Sequence, residues 1–181
     1  MAAIKIINGQ DKDLLLRLKD KSTGDALNLT GYDLIQACFK LDSEGTLKKY
    51  YLPFTGDTVS ASDLISAIPE IDDIVEGQPI SGPGIPAGAT VLKTPTSTDS
   101  PTAAGVIQIS ANATATATQE SFVMGDIEIN GNPLLGKILI PLDEEDTDTL
   151  VNADFEIKLV KDGLTSYVIF KNALEIVKRI C

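Results

Sequence analysis

The chain contains no histidine and no tryptophan, and it has only two cysteines, Cys38 and Cys181. Without histidine, the Ser-His-Asp and Cys-His mechanisms and the usual zinc and iron ligand sets are excluded. Two cysteines supply neither a zinc site nor a disulfide framework. Most of the common catalytic groups are therefore absent, and we expect a protein that is not an enzyme and that holds no cofactor or metal.

Basic residues are also scarce, with 15 Lys and Arg against 26 Asp and Glu, a net charge of −11. Nucleic acid and anionic lipid bind clustered Lys and Arg, so we expect neither as a partner. No apolar run is long enough to span a membrane. The first residues lack the basic and long apolar regions of a signal peptide, so we expect synthesis in the cytoplasm.

What the sequence does have is enough apolar residues, 43%, for one ordinary domain or two small ones. Its charge is uneven: residues 57–126 contain nine acidic residues and a single base, Lys93, for a net −8. The remainder has 17 acidic and 14 basic residues, a net −3. We therefore predict an outer domain of residues 1–56 and 127–181, interrupted by an inserted domain over 57–126 that is rich in Gly, Pro, Ser, Thr and Ala.

Apolar and polar residues alternate with period two in the outer domain, which is typical of half-buried strands. The clearest segments are 32–41, which alternates around Phe39, and 154–160, which alternates around Ile157. Asp162-Gly163 between two such segments indicates a two-residue hairpin. Further strands are predicted over Ala3–Ile7, Asp13–Leu18, Thr46–Leu52, Gly136–Pro141, Ser166–Phe170 and Ala173–Ile180.

The inserted domain is predicted to be β as well, and helices are few. A strand and turn are predicted over 73–80, with further strands over 89–93 and 105–110. Asp143–Leu150 is predicted as a short helix capped by Asp143, and Ser62–Ile68 as a single helical turn. The fold class is therefore all-β, a β-sandwich interrupted by a small β domain with at most two short helices.

Four segments could hold chemistry, and each has a plainer interpretation that we favour. The acidic run Asp143–Asp148 could bind a cation, but acidic residues are also expected at the start of a helix. The same choice between a cation site and ordinary surface carboxylates applies to a second acidic group, Glu70, Asp72, Asp73 and Glu76. The glycine-rich segment 77–88 matches no phosphate-binding pattern and predicts rigid turns. The Ala/Thr segment 111–118 predicts a polar edge strand or a loop rather than a binding face.

The two cysteines leave one alternative open. Cys38 is predicted on the strand face opposite Phe39, and Cys181 is predicted to be exposed just after the last strand. Two reduced, inert thiols are the favoured interpretation. The alternative is an intermolecular disulfide through Cys181 or Cys38, formed after assembly outside the cell.

Two pairs of segments resemble a known family. The first pair is Ile7–Asp20, INGQDKDLLLRLKD, and Gly24–Tyr32, GDALNLTGY; the second is Gly136–Leu150 and Ala153–Leu159. Together they resemble an immunoglobulin-like (Ig-like) domain at the N-terminus of phage baseplate upper proteins and related virion proteins, over about 3–56 and 127–181. Glu76–Val91, with Ile107–Thr116, resembles a small β module inserted in phage structural proteins.

The resemblance implies a structural role in a virion and no catalytic residues. We therefore expect a tail, neck (collar) or baseplate component, located in the virion, that contacts other virion proteins as a homo-oligomer in a symmetric assembly. One alternative is a decoration protein of the capsid or tail surface. Another is a module that binds a host glycan or surface protein through the inserted domain.

Overall fold

The protein is described by a computed structural model that covers residues 4–7, 11–20, 22–41, 45–69, 73–95, 103–170 and 174–177. The fold is mostly β, with antiparallel sheets and a single α-helix of fewer than seven residues in these ranges, which confirms the predicted all-β class. The chain divides into two compact units: unit 1 is 1–50 with 127–181, and unit 2 is 51–126.

Fourteen strands are present in the described ranges. They are β1 (Ile4–Ile7), β2 (Lys12–Arg17), β3 (Leu34–Leu41), β4 (Thr46–Thr58), β5 (Leu64–Ser66), β6 (Ile80–Ser81), β7 (Val91–Lys93), β8 (Ile107–Ile109), β9 (Ala117–Met124), β10 (Glu128–Ile129), β11 (Lys137–Leu142), β12 (Leu150–Lys161), β13 (Leu164–Phe170) and β14 (Leu174–Val177). The helix α1 is Glu144–Thr149, and a 3-10 helix is Pro133–Leu135.

Unit 1 contains two sheets, each with one buried apolar face. The first has the order β13-β12-β3-β4, and the second has the order β10-β11-β2. A parallel pair, β1 with β14, completes the unit. Alternation puts one set of apolar side chains inward on β2, β3, β11 and β12, so that two buried faces lie in one compact unit, as in a β-sandwich. Buried apolar side chains of these sheets include Leu14, Leu16, Ile35, Phe39, Ile138, Ile140, Phe155, Ile157 and Leu159.

Aromatic stacking strengthens the first sheet. The ring of Phe155 lies 5.1 Å from that of Phe39 on one side and 4.5 Å from that of Phe170 on the other. The pairs Phe155–Phe39 and Phe155–Phe170 are directly opposite in the strand register. Because directly opposed side chains are the unit of sheet stabilisation, this row fixes the register of β3, β12 and β13.

Local signals in unit 1 behave as the sequence predicts. Asp162 and Gly163 both have positive φ, 51° and 73°, and Lys161 pairs with Leu164, so a two-residue hairpin joins β12 to β13. Asp143 caps α1: its side chain accepts the amide of Asp146, and the Asp146 side chain accepts the amide of Asp143. Both elements are confirmed.

Unit 2 is built from shorter strands than unit 1. The part of β4 beyond Tyr50 pairs with β9 and β5, β5 pairs with β8, β8 pairs with β7, and β6 pairs with β9. The unit boundary falls within β4, before the composition changes at Asp57. Its largest fully buried side chains are Ile65, Ile107, Ile109, Phe122 and Met124.

Close packing in unit 2 depends on two glycines. A Cβ on Gly56 would lie 2.8 Å from the Ile65 side chain. A Cβ on Gly82 would overlap the ring of Phe122. Even the smallest side chain would therefore displace a buried neighbour at either position, which explains part of the small-residue composition of this unit.

Two local predictions in unit 2 are wrong, and a third is met by one of its two alternatives. Ser62–Ile68 is no helical turn, because Leu64–Ser66 forms β5 and pairs with β4 and β8. Of the strand predicted over 73–80, Ile80 alone lies in a strand, although the predicted turn is present at 76–77. Residues 111–116 form a loop, the second of the two alternatives predicted for the Ala/Thr segment, because Ala113 and Thr114 bond to two different loops; β9 begins at Ala117.

Candidate functional site

Cys38 lies half-buried on the outward face of β3, opposite the buried Phe39 as predicted. Glu156 is its direct partner on β12. Burial raises the pKa of the Cys38 thiol, and the charge of Glu156 raises it further, whereas Lys48 and Lys158 lower it. A raised pKa keeps the thiol protonated at neutral pH, and the protonated thiol is a poor nucleophile.

Cys181 lies outside the described residues. Cys38 is a free thiol in the part of the chain that the structure describes. The intermolecular disulfide through Cys181 or Cys38 therefore stays a prediction.

The acidic run 143–148 serves the helix that it starts. Asp143 and Asp146 form the reciprocal capping box, which satisfies two amides that have no partner within the helix. Asp146 also forms an ion pair with Lys49, with 2.7 Å between carboxylate oxygen and ammonium nitrogen. Two of the carboxylates in the run therefore have structural partners.

The second acidic group lies in unit 2. Glu70 and Asp72 are outside the described residues, and Asp73 and Glu76 are exposed. A carboxylate oxygen of Glu76 accepts the amide of Thr94 at 3.4 Å. Within the described ranges, no three His, Cys, Asp or Glu side chains are grouped so that they could hold a metal ion.

Three loops of unit 2 are tied together by hydrogen bonds across long sequence separations. The amide of Ala113 donates to the carbonyl of Ser62, and the amide of Ala61 donates to the carbonyl of Ala113. Thr114 donates its amide to Gly84 at 2.8 Å, so the glycine-rich loop is joined to the same cluster. We call loops 59–63, 82–88 and 111–116 the loop cluster; its exposed side chains are uncharged and include Val59.

Unit 1 has an open sheet edge at β13. This strand is the last in the order β13-β12-β3-β4, and no other described strand pairs with its outer side. Leu164 and Tyr167 are 77% and 57% exposed, far more than apolar side chains of a packed strand. The C-terminal end of β13 is anchored instead, since Phe170 stacks on Phe155.

The other long or terminal edges carry features that prevent pairing, and β13 does not. β2 has Lys12, Asp13 and Arg17 among its six residues. At the opposite end of the sheet path, β7 has three residues, a register shift and Lys93. β13, with the sequence LTSYVIF, is the one strand of more than three residues in the described ranges that lacks a charge. Short strands, bulges and charges are the usual protections of an edge.

Sequence reasoning locates this strand but not its edge position. Ser166–Phe170 is predicted as a strand, and nothing in a single strand reveals its place in the sheet order. The available signal is the uninterrupted lack of charge over 164–170 next to Asp162-Gly163, in a chain where other outer strands alternate with Lys, Asp or Glu.

Comparisons with known proteins give the chain no relatives. No family model matches it, and neither a curated protein nor a solved structure does. Within the described ranges, no helix has the length and apolar character needed to cross a membrane.

Proposed function

We propose that the chain is a non-enzymatic structural protein of a bacteriophage virion, a tail, neck or baseplate component that docks on neighbouring subunits through unit 1. The observation that carries this proposal is the open, uncharged edge of β13 with its exposed Leu164 and Tyr167. An edge of this kind is a template for pairing with another strand. The resemblance of residues 3–56 and 127–181 to the Ig-like domain of phage baseplate upper proteins supports the same role.

Quantitative mass spectrometry of purified particles tests the proposal. A chain present at a low, fixed copy number that matches a ring supports a connector of the neck or baseplate. Hundreds of copies per particle would replace this with the alternative of a decoration protein. Particles that lack the chain would contradict both structural roles. Reduced and unreduced samples of the same particles report whether Cys38 or Cys181 forms an intermolecular disulfide.

A second candidate function, binding to a host surface through unit 2, is favoured by the loop cluster. Hydrogen bonds hold it together: the Thr58 hydroxyl donates to the carbonyl of Ala115 at 3.1 Å, and the amide of Ser60 donates to the Thr116 hydroxyl at 2.9 Å. A pre-ordered loop surface loses little entropy when it binds.

Saturable binding of the purified protein to host cell envelopes would support this second candidate. Asn112 is exposed and has no described structural role, so Asn112→Arg should weaken binding without unfolding the unit. The matched control is Leu134→Arg, an exposed position of unit 1 outside the cluster. Equal binding by both variants and the wild type would contradict a role for the loop cluster.

A further inference from the structure

The outer side of β13 has a defined set of unused backbone groups. Both turn residues, Asp162 and Gly163, have positive φ, which defines a type I′ hairpin. In this hairpin the first pair, Lys161 with Leu164, exchanges two backbone hydrogen bonds, and the pairs along the ladder then alternate. From Leu164 onward, the backbone N–H and C=O groups of every second residue therefore bond to β12. The backbone groups of the residues between them are directed to the opposite side of β13.

An observed hydrogen bond fixes the phase of this alternation. The carbonyl of Val160 accepts the amide of Asp33 at 2.9 Å, so the backbone of residue 160 faces the β3 side of β12. Its partner in the register is Thr165, whose backbone groups consequently face outward. The same holds for Tyr167 and Ile169, so three amides and three carbonyls are directed to the open edge.

Because these groups are backbone amides and carbonyls in an extended strand, they specify another strand as the occupant. An antiparallel strand with the same spacing of outward groups is complementary, and β13 of a second copy has that spacing. With a two-fold axis at Tyr167, the two Tyr167 residues face each other, and Thr165 faces Ile169 of the second copy. All three outward residues then pair, with about six interchain hydrogen bonds.

Charge favours the same occupant. The whole chain carries −11, of which −8 lies in residues 57–126 and −3 in the remainder, so repulsion between two copies is weaker at unit 1 than at unit 2. β13 has no charge, and the residues of β12 opposite Leu164 and Tyr167 are Lys161 and Lys158, with Glu156 the one acidic residue of β12 opposite β13. β13 therefore adds no charge of its own to the contact between two copies.

We propose that β13 is a dimerisation edge, at which the β13 strands of two copies pair antiparallel about Tyr167 and join two β13-β12-β3-β4 sheets into one. The contact uses the same patch on both copies, so it closes and covers the open β13 edge of each copy. We rest this on the docking role proposed for unit 1, and the dimer is the partner that it names.

Cysteine crosslinking tests the register directly, in a Cys38→Ser, Cys181→Ser background. In a hydrogen-bonded antiparallel pair the Cα atoms are about 5.5 Å apart, but the Cβ atoms are farther apart than in a relaxed disulfide. Tyr167→Cys should therefore give a crosslinked dimer with a short bismaleimide, which bridges two neighbouring thiols. Leu164→Cys is the control: its side chain is more exposed, yet the two copies of residue 164 would lie about 20 Å apart along the strands.

The two variants distinguish register-specific pairing of β13 from random collision. A dimer from Tyr167→Cys and none from Leu164→Cys is the expected result. Equal crosslinking of the two variants shows random collision and overturns the proposal. No crosslinking of Tyr167→Cys overturns it as well.

Proline substitution tests the hydrogen bonds. The amide of Thr165 faces outward, so Thr165→Pro removes a donor to the second copy and none to β12. Thr165→Val keeps the donor and is the matched control. Sedimentation velocity should show a concentration-dependent dimer for the wild type and Thr165→Val, and an at least tenfold weaker one for Thr165→Pro. A monomeric wild type at all concentrations, or no difference between the variants, contradicts the proposal.

A charge variant covers the case in which Thr165→Pro fails to fold, which circular dichroism reports. Tyr167→Lys brings two like charges together at the two-fold axis and should abolish the dimer. Leu134→Lys adds the same charge at an exposed position off the edge and should leave the dimer intact. If both variants dimerise equally, β13 is not the interface.

Failure of the dimer and failure of the virion role are distinguishable. Particles that contain the chain, together with a monomeric chain in solution, would overturn the dimer and leave the structural role standing. If hydrogen exchange then shows β13 protected in the particle, a strand of another virion protein occupies the edge. A dimer in solution, with particles that lack the chain, would overturn the virion role and leave the dimer standing.

Discussion

Units 1 and 2 reach the same secondary structure class by different means. Unit 1 uses long strands with regular alternation, such as β3 and β12, and fills its core with large side chains that stack in register. Unit 2 has two longer segments, β9 and the part of β4 beyond Tyr50, and otherwise uses strands of two or three residues, such as β5 and β8, between tight turns. Long strands are specified by their own pattern, whereas short ones depend on contacts that are distant in sequence.

The two units also differ in their charge composition. Unit 1 mixes both signs, while unit 2 has nine acidic residues and Lys93 alone. Two described carboxylates of unit 2 bond within the unit: Asp57 on β4 accepts the amide of Gln119 on β9 at 2.7 Å, and Asp63 accepts the side-chain amide of Gln108 on β8 at 2.7 Å. Acidic residues in this unit therefore serve in part to join its strands and loops.

The largest expected effect comes from deleting one core ring in each unit. Phe155→Ala in unit 1 and Phe122→Ala in unit 2 should each cost about 3–5 kcal/mol, because both rings are fully buried. Hydrogen exchange followed by peptide should show the loss of protection concentrated in the unit that holds the substitution. An equal loss in both units would mean that they unfold as one.

A glycine pair tests whether unit 1 also depends on close backbone approach. Gly136 has φ 63°, and a Cβ there would lie 2.5 Å from the carbonyl oxygen of Leu18. Gly136→Ala should cost about 2–4 kcal/mol from strain and overlap together. Gly24→Ala has a similar φ, 77°, with nothing within 4 Å, and should cost about 1 kcal/mol. Equal urea midpoint shifts would contradict the packing argument.

Substitutions of Asp143 distinguish a helix-capping role of this residue from a cation-binding role. Asp143→Ala should cost about 1 kcal/mol, and Asp143→Asn less, because asparagine still accepts the Asp146 amide. Calcium should leave the melting temperature of the wild type unchanged. A calcium-dependent rise in the melting temperature that Asp143→Asn removes would restore the cation site.

The thiol of Cys38 should react slowly with iodoacetamide. Burial and Glu156 raise its pKa above the ordinary value of 9.0, so its alkylation rate should rise at a higher pH than that of a peptide cysteine. Because the folded protein holds the Cys38 proton more tightly than the unfolded chain does, the protonated thiol contributes to the free energy of unfolding. This contribution is fully present below pH 9.0 and is lost as the pH rises through the higher pKa of the folded protein. A rate equal to that of the peptide would contradict the burial of Cys38.

The smallest expected effect concerns Asp20 in an exposed turn of unit 1. The hydroxyl of Ser22 lowers the pKa of Asp20 below 3.8, and the amides of Thr23 and Ser22 add to the effect. Its contribution to stability should be present above pH 3.8 and lost as the pH falls through the lower folded value. An NMR titration should give a lower pKa for Asp20 in the wild type than in Ser22→Ala. Identical values would contradict the role of the hydroxyl.

Sequence patterns predict the parts of the fold that local chemistry decides. The alternation around Phe39 and Ile157, the turn Asp162-Gly163 and the cap at Asp143 are each visible within a few residues. Local sequence patterns do not predict β5 and β9. Leu64–Ser66 is held as a strand by pairing with β8 and β4, and Ala117–Met124 is held by pairing with β4. The 3-10 helix at Pro133 has a readable signal in Asn132 before Pro133, which caps it.

The candidate docking edge is half predictable. The sequence alone shows that β13 has no charged residue. That the edge of β13 is exposed depends on the order of the strands in the sheet. A local pattern cannot tell an outer strand from an inner one, since both alternate in the same way. The Ig-like resemblance, the virion role and the oligomeric state stay predictions for the experiments above.

One hydrogen bond has a consequence for how this protein could change over evolution. The amide of Ile127 donates to the carbonyl of Tyr50 at 2.9 Å, so the chain leaves unit 1 and returns to it at neighbouring points of the backbone. A short turn could bridge that gap as well as all of residues 51–126 do. Unit 2 is thus a cassette: genetic exchange could remove it, lengthen it or substitute another sequence while unit 1 keeps its termini and strand order.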